Sequence, residues 1–101
     1  EIAYLRQTRD WLVEELPQRI LGLKTSKPDA TYLLWLDFAD TAIGGNPQPA
    51  KWLRENAKVA LNEGDTFGTG GPGHARLNFS TSREILEEAL DRMERAFAAL
   101  D

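Results

Sequence analysis

The residues best suited to chemistry lie together in one short segment, HARLNF at positions 74–79. Polar and apolar residues alternate there, which predicts a half-buried β-strand. One face of that strand would carry His74, Arg76 and Asn78, and the other would pack on a core through Ala75, Leu77 and Phe79. A guanidinium presents a planar fork of donors, which suits bidentate binding of a carboxylate. From the pattern alone, a solvated arginine is nevertheless the commoner interpretation of Arg76.

A glycine cluster precedes the arginine strand. Gly68, Gly70 and Gly73 satisfy the pattern G-x-G-x-x-G. A dinucleotide site needs a strand before this pattern and a helix after it, whereas here a strand follows and Pro72 interrupts the motif. No lysine follows at the position that a phosphate-binding loop requires. We therefore interpret the glycines as turn residues with positive φ and not as a nucleotide site.

The other polar and aromatic candidates have simpler interpretations. His74 is the only histidine, and nothing at catalytic or metal-binding spacing accompanies it, so a surface position is predicted. The carboxylate pairs Asp37/Asp40 and Glu87/Glu88 are expected to be solvated. The tryptophans fall on periodic apolar positions, which predicts core packing for Trp11, Trp35 and Trp52. The residues alone therefore indicate no catalytic, cofactor-binding or metal-binding group.

Length and composition limit the range of functions. A chain of 101 residues with 42% hydrophobic and 28% charged residues fits one globular domain. Its net charge of −4 offers no basic surface for nucleic acid, and no apolar run reaches membrane-spanning length. The absence of cysteine excludes disulfides and thiolate chemistry and favours a cytoplasmic protein. Because the chain does not begin with methionine, we expect a piece of a longer protein.

Three segments have the periodicity of amphipathic helices, namely residues 1–16, 48–57 and 82–99. Pro17 is expected to end the first helix, and Pro49 suits the first turn of the second. Thr81 and Glu84 form a predicted capping box at the start of the third. The buried stripe expected on that helix is Ile85, Leu86, Ala89, Leu90, Met93, Phe97 and Leu100. The ion pairs expected on its exposed side are Glu88–Arg92 and Asp91–Arg95.

Four segments have the composition of strands, namely residues 20–24, 31–38, 59–61 and 74–79. A turn is predicted at residues 26–29. Residues 31–38 are largely apolar on both faces, which indicates a central strand with a cover on each side. A domain of this size covers one face itself, so we expect the second cover to be missing. The element order predicts an α+β, two-layer domain with a mostly antiparallel sheet and its helices packed on one face.

Three blocks of the sequence resemble one known family. They are ATYLLWLDF at 30–38, VALNEGDTFG at 59–68 and GPGHARLNFST at 71–81, the last leading into REILEEALDRM. In order and spacing, over essentially the whole chain, they are similar to the C-terminal small domain of pyridoxal-phosphate (PLP)-dependent class I/II aminotransferases. The resemblance is closest to the C–S lyases of cystathionine β-lyase type. It implies the small-domain fold of the fold-type I PLP enzymes.

The resemblance also implies roles for individual residues. The family's arginine that grips the α-carboxylate of an amino-acid substrate falls on Arg76. The neighbouring Asn78 matches the motif's asparagine, for which we expect only a supporting role in the strand. Tyr32 is expected to approach the active-site cleft. The family's loop beside the mouth of the active site would include Asn62, Gly64, Phe67 and Gly68.

The same resemblance implies that the chemistry itself lies elsewhere. The family's PLP, its Schiff-base lysine, the aspartate at the pyridine nitrogen and the phosphate site belong to a large domain. No lysine of this chain matches the Schiff-base motif, which leaves out Lys24, Lys27, Lys51 and Lys58. We therefore expect residues 1–101 to be a single C-terminal small domain that is inactive alone. Its expected partners are an amino-acid substrate, its own large domain and a second copy of the intact enzyme.

Two alternatives stay open at this point. Within the family, α,β-elimination on cystathionine-like or cysteine-like amino acids is favoured over transamination to a 2-oxo acid only by the closeness of the sequence blocks. Outside the family, the chain would be a freestanding α+β interaction module without catalysis.

Overall fold

The computed structural model describes residues 2–26, 32–64 and 72–100. Within these ranges, three helices and four strands follow one another in the predicted order, with these bounds: α1 Ile2–Arg19, β1 Lys24–Ser26, β2 Leu33–Asp37, α2 Pro49–Asn56, β3 Asn62–Glu63, β4 His74–Asn78 and α3 Arg83–Ala98. The turn predicted at 26–29 extends outside the described residues, as do the predicted loop residues Phe67 and Gly68.

The strands form one antiparallel sheet in the order β1-β2-β4-β3. The centre of the sheet is the pair β2–β4, whose register places Leu34 opposite Leu77 and Trp35 opposite Arg76. The bond from Phe79 N to Tyr32 O continues this register for one more step at 2.9 Å. β2 is therefore a central strand, as its composition predicts, and β1 and β3 are the edges.

All the fully buried sheet residues lie on one face, against the helices. They are Leu34, Leu36, Phe38, Ala75, Leu77 and Phe79. Helix α1 packs on α3 and α2 packs on β3, β4 and α3, while the Phe97 ring of α3 stacks on Phe38 at 6.2 Å. The alternate residues of β2 and β4 are not buried. The predicted α+β, two-layer architecture with helices on one face is confirmed.

The first helix is longer than predicted, because Pro17 lies inside its last turn and does not end it. A proline removes its own amide donor, but the later amides of the turn can still bond, and Ile20 N donates to Leu16 O at 3.0 Å. The turn that follows contains Gly22, which has a φ of 88°. A side chain there would also collide with the backbone of Asp40. The glycine, and not the proline, marks where the chain reverses.

Two short strands are displaced from their predicted positions. The first is Lys24–Ser26 and not 20–24, because Ile20 and Leu23 belong to the turn and the core. The other is Asn62–Glu63 and not 59–61. Val59 and Leu61 are buried in alternation as a strand would require, but the strand ladder to β4 is formed only at residues 62 and 63.

The start of α3 differs from the predicted capping box by one residue. Ser82 is the N-cap, and its hydroxyl accepts from Ile85 N at 3.2 Å. With the helix beginning at Arg83, Ile85 points outward and is 60% exposed, so its predicted burial is wrong. The end of the stripe is also wrong at Leu100, which is exposed, whereas Leu86, Leu90 and Met93 are buried as predicted.

One of the two ion pairs predicted on α3 is present. Arg92 Nε donates to Glu88 at 2.8 Å, but Asp91 does not pair with Arg95. Asp91 accepts from Arg19 of α1 at 2.6 Å, and Arg19 also bonds to Glu15 at 3.0 Å. The hydrogen bond with Asp91 is the main reason that the pKa of Arg19 is raised above its usual value. This guanidinium ties the two helices together.

Candidate functional site: the open face of the sheet

Arg76 lies at the middle of β4, on the sheet face that the helices leave uncovered. Its cross-strand neighbours are Trp35 on β2 and Asn62 on β3. Leu77 and Phe79, which follow Arg76 in the chain, are 5% and 0% exposed on the opposite, helix-covered face. Because successive side chains of a strand point to opposite faces, the Arg76 side chain is directed away from the helix layer. The predicted burial on one side and access on the other is therefore observed.

The Arg76 side chain is half-buried, and its Nε atom is shielded from solvent. Nε is the nitrogen that joins the guanidinium to the rest of the side chain. The same face of the sheet carries the cross-strand partners Trp35 and Asn62. A long cationic side chain of this kind packs its stem along the protein and keeps its charged end toward the surface. A carboxylate is the partner that matches the planar fork best.

Trp35 contacts a second aromatic ring on this face. The centroids of the Trp35 and His74 rings are 6.4 Å apart and their planes cross at 78°, an edge-to-face arrangement. The sequence predicts core packing for Trp35 and a solitary surface position for His74. The prediction for Trp35 is wrong, because the antiparallel register brings residues 35 and 74 onto the open face as diagonal neighbours. His74 is the first residue of β4 and is partly exposed, so its predicted position at the start of a strand is confirmed.

An acceptor oxygen lies near each ring nitrogen of His74. Its Nε2 lies 3.6 Å from Asp37 Oδ2, and its Nδ1 lies 3.3 Å from the carbonyl oxygen of Pro72. The other carboxylate oxygen of Asp37 accepts from Ala39 N at 2.9 Å. The sequence predicts a solvated Asp37 and no partner for His74, because residues 37 and 74 become neighbours only once the register of β2 on β4 is known.

The two other residues singled out by resemblance lie at the far end of β4. Asn78 is exposed, and its Oδ1 accepts from Ser80 N at 2.9 Å and Ser80 Oγ at 2.7 Å. It therefore stabilises the bend that follows the strand. Tyr32 is opposite Phe79, and strand alternation places it on the other face from Arg76. The structure does not bring Tyr32 next to the guanidinium, and its approach to a cleft stays a prediction.

Glycine is needed at two points where the backbone closes around this strand. Gly64 N donates to His74 O at 2.8 Å, and a Cβ at Gly64 would lie 2.8 Å from that same oxygen. Gly73 has a φ of 86°, as the turn interpretation of the glycine cluster predicts. Gly68 and Gly70, the other glycines of that cluster, lie outside the described residues.

The described residues do not form a site for PLP. Such a site needs a lysine directed into an enclosed space and converging donors for a phosphate. Lys24 bonds to Asp40 at 2.7 Å on the surface, and Lys51 and Lys58 are exposed. Lys27 lies outside the described residues. Within the same ranges, no group of three metal-ligating side chains comes together, and no helix has the length and apolar character to cross a membrane.

Comparison with known proteins finds cystathionine β-lyases and aminotransferases. Cystathionine β-lyase from Corynebacterium glutamicum is 51% identical over 92 residues, which cover 91% of this chain and 24% of that protein. The chain thus spans about a quarter of the length of the curated relatives it matches. A scan against protein-family models finds no match.

The solved structures give the same result. A protein from Corynebacterium diphtheriae assigned as a PLP-dependent β-cystathionase matches with a TM-score of 0.86 and 51% identity, over 95% of this chain and 25% of that one. Alanine aminotransferase from Pyrococcus furiosus matches with a TM-score of 0.80 and 31% identity, over 94% of this chain and 24% of that one. The chain is therefore similar to PLP-dependent lyases and aminotransferases over about a quarter of their length.

Proposed function

We propose that this chain is the substrate-carboxylate-binding small domain of a PLP-dependent C–S lyase, with Arg76 as the residue that grips the carboxylate. The parent enzyme would carry out α,β-elimination on cystathionine-like or cysteine-like amino acids. Residues 1–101 would be a single C-terminal domain of that enzyme. The large, cofactor-binding domain would lie in the part of the relatives that this chain does not match.

The observation that carries the proposal is the position of Arg76. It is the central residue of a central strand, on the uncovered face, with the base of its guanidinium shielded from solvent. Partial removal from water strengthens a charged hydrogen bond, and the fork fixes the angle at which a carboxylate binds. A substrate held at one end in a defined orientation reacts faster at its other end.

The division of labour follows from what the described residues lack. PLP, when bound, supplies an electron sink for the negative charge that develops on the substrate. No described lysine is placed to hold it, so the cofactor would be bound by the larger part of the enzyme. This chain would bind and orient the substrate and cover one side of the site. Asn78 would support the strand from its end, through its bonds to Ser80.

Elimination is preferred to transamination because of the relatives. Proteins named as cystathionine β-lyases or β-cystathionases reach 51% identity, whereas those named as aminotransferases reach 40%. Transfer of an amino group to a 2-oxo acid is the second candidate, since the alanine aminotransferase from Pyrococcus furiosus shares the fold at a TM-score of 0.80. The homodimer and the cytoplasmic location expected from the sequence belong to the same proposal.

The experiment is the substitution Arg76→Lys in the intact parent enzyme. Lysine keeps the charge and loses the fork, so we expect kcat/KM to fall by roughly 30- to 1000-fold, the equivalent of about 2–4 kcal/mol. Arg95→Lys on the exposed side of α3 is the matched control and should change nothing. An unchanged kcat/KM in Arg76→Lys would end the assignment. Product analysis separates the two candidates, because elimination releases a thiol, ammonia and a 2-oxo acid without an amino acceptor.

A further inference from the structure

We propose that Trp35 is a positioning residue for Arg76, and that His74 and Asp37 hold Trp35 in place. The inference rests on the proposed role of Arg76 and adds to it a fixed wall on one side of the guanidinium. The resemblance to lyases and aminotransferases assigns no role to these three residues. The register of β2 on β4 and the contacts of their side chains bring the three residues into one line beside Arg76.

The first step is the pairing of Trp35 with Arg76. The two residues are direct cross-strand partners on the same face of the sheet. The Cβ atoms of such partners are about 4.5–5.5 Å apart, well within the reach of an indole. A planar guanidinium packs favourably along an aromatic surface and gives up mobility when it does so. An indole at this position would limit the directions that the Arg76 fork can take.

The second step is the restraint on the indole itself. A half-buried tryptophan on an uncovered face would be free to change rotamer if nothing contacted its ring. The edge-to-face contact with His74, at 6.4 Å and 78°, gives the indole a neighbour on the β4 side. Aromatic pairs of this geometry are stabilised beyond their buried area. The contact therefore favours one orientation of the Trp35 ring.

The third step is the anchoring of the imidazole. The His74 ring lies between Asp37 Oδ2 at 3.6 Å and Pro72 O at 3.3 Å, so an acceptor faces each ring nitrogen. Asp37 is itself fixed by the amide of Ala39 at 2.9 Å. Consecutive contacts thus run from the backbone amide that binds Asp37, through His74, to Trp35, which lies opposite Arg76. Side chains restrained in this way hold a binding group in its productive geometry before the ligand arrives.

A purely structural role for Trp35 makes a different prediction. If the indole only packs on the sheet, its loss lowers stability and weakens all ligands alike. If it acts through Arg76, its loss weakens only ligands that carry the carboxylate, and the loss disappears once Arg76 is removed. Double-mutant analysis separates these cases because it measures the coupling between two residues.

The test uses the intact parent enzyme and four forms of it, namely wild type, Trp35→Ala, Arg76→Ala and the double variant. The measurements are the dissociation constant of a non-reacting amino-acid analogue, that of the matching amine without the carboxylate, and KM and kcat. We expect Trp35→Ala to weaken the amino acid by about 5- to 30-fold, and to raise KM by a similar factor, from coupling energies typical of contacting residues. The dissociation constant of the amine should change by less than about twofold in Trp35→Ala. When Trp35→Ala is added to Arg76→Ala, the dissociation constant of the amino acid should also change by less than about twofold.

Milder variants keep the test decisive if Trp35→Ala folds poorly. Trp35→Phe retains a flat ring and should recover most of the affinity. His74→Ala should show the same selectivity for the carboxylate with a smaller effect. Leu33→Ala is the matched control, because Leu33 is half-buried on the same face and strand but pairs with Asn78 and not with Arg76. It should leave both dissociation constants unchanged.

Four results would overturn the inference. Equal weakening of amino acid and amine by Trp35→Ala would indicate a structural role, and persistence of the loss in the Arg76→Ala background would indicate that Trp35 touches the substrate directly. A silent Trp35→Ala beside a damaging Arg76→Ala would reject the inference and leave the function of Arg76 intact. If Arg76→Ala itself leaves carboxylate binding unchanged, the proposed function fails and this inference fails with it.

Discussion

The two faces of the central strand pair are made from neighbouring residues and serve different purposes. On the covered face, Leu34 and Leu77 are cross-strand partners and both are buried among the helices. On the open face, the next pair along, Trp35 and Arg76, is neither fully buried nor covered by a helix. One face is uniformly apolar. The other combines an indole, a guanidinium, an imidazole and a carboxylate.

The difference shows how a small domain can hold an arginine in mid-strand, here the proposed carboxylate-binding residue, without weakening its core. Because side chains alternate along a strand, Arg76 is one position from two core residues yet shares no packing with them. The backbone hydrogen bonds between the strands fix the position of Arg76, while its polar side chain lies outside the core. A central strand with two apolar-rich faces then needs only one of them for stability.

The largest effect expected from this comparison is on stability, at two adjacent residues of β2. Leu34→Ala removes a fully buried side chain and should lower the free energy of unfolding by about 2–5 kcal/mol. Leu33→Ala makes the same chemical change on the half-buried open face and should cost less than about 1 kcal/mol. Urea unfolding of the two variants measures both values. Similar losses at 33 and 34 would show that the open face is part of the core after all.

A smaller effect is expected at β3, where adjacent residues again face opposite ways. Glu63 lies beside the N-terminus of α2, where its carboxylate accepts from Ala50 N at 3.1 Å and Lys51 N at 2.8 Å. It replaces the side-chain cap that Gln48 does not provide. Removing this charge from a helix N-terminus with Glu63→Gln should cost about 0.5–1 kcal/mol.

Asn62 supplies the control for this substitution. It is exposed on the open face opposite Arg76, so Asn62→Ser should change the free energy of unfolding by less than about 0.5 kcal/mol. Thermal or urea unfolding of the two variants gives the comparison. If Asn62→Ser proved the more damaging, the open face would contribute more to stability than the contact that joins β3 to α2.

The features that the sequence predicted well are those with a strong local period. They are the alternation in β2 and β4, the stripe through Leu86, Leu90 and Met93, and Pro49 at the start of α2. Each of these signals lies in residues that are close together in the sequence. The order of elements and the layer architecture follow from them. The direction of Arg76 relative to the last helix follows as well, since it depends only on alternation.

The features that were missed are the exact ends of helices and the contacts between distant parts of the chain. Pro17 was expected to end α1, but the helical bonds after it survive. The cap of α3 is local, and the structure places it at Ser82, one residue from the predicted position. The cap of α2 is supplied by Glu63 from β3, thirteen residues further along the chain than Ala50, so no local pattern indicates it. His74 and Asp37 became partners only through the register of the sheet. A single sequence carries no direct signal for that register beyond the pattern of burial.

The smallest effect expected, a null one, concerns the cofactor and the chain on its own. We expect PLP added to the isolated chain to give no saturable, one-to-one signal. A lysine reacts with an aldehyde as the neutral amine, and a hydrogen bond with Asp40 raises the pKa of Lys24 above its usual value of 10.5, which keeps its amine protonated at neutral pH. Lys51 and Lys58 are exposed, with no enclosed space around them to exclude water.

The null result is informative because it tests whether the open face needs a second domain. Exposed lysines should give only weak adducts that rise in proportion to the PLP concentration, and Lys24→Arg, Lys51→Arg and Lys58→Arg should each reduce that signal slightly. Absorbance titration of the isolated chain measures this directly, with no turnover of amino-acid substrates expected in parallel. A saturable signal abolished by one substitution would place the cofactor within this chain. The open face around Arg76 would then be half of a complete active site, and not the substrate-holding side of a site whose other side is supplied by the large domain.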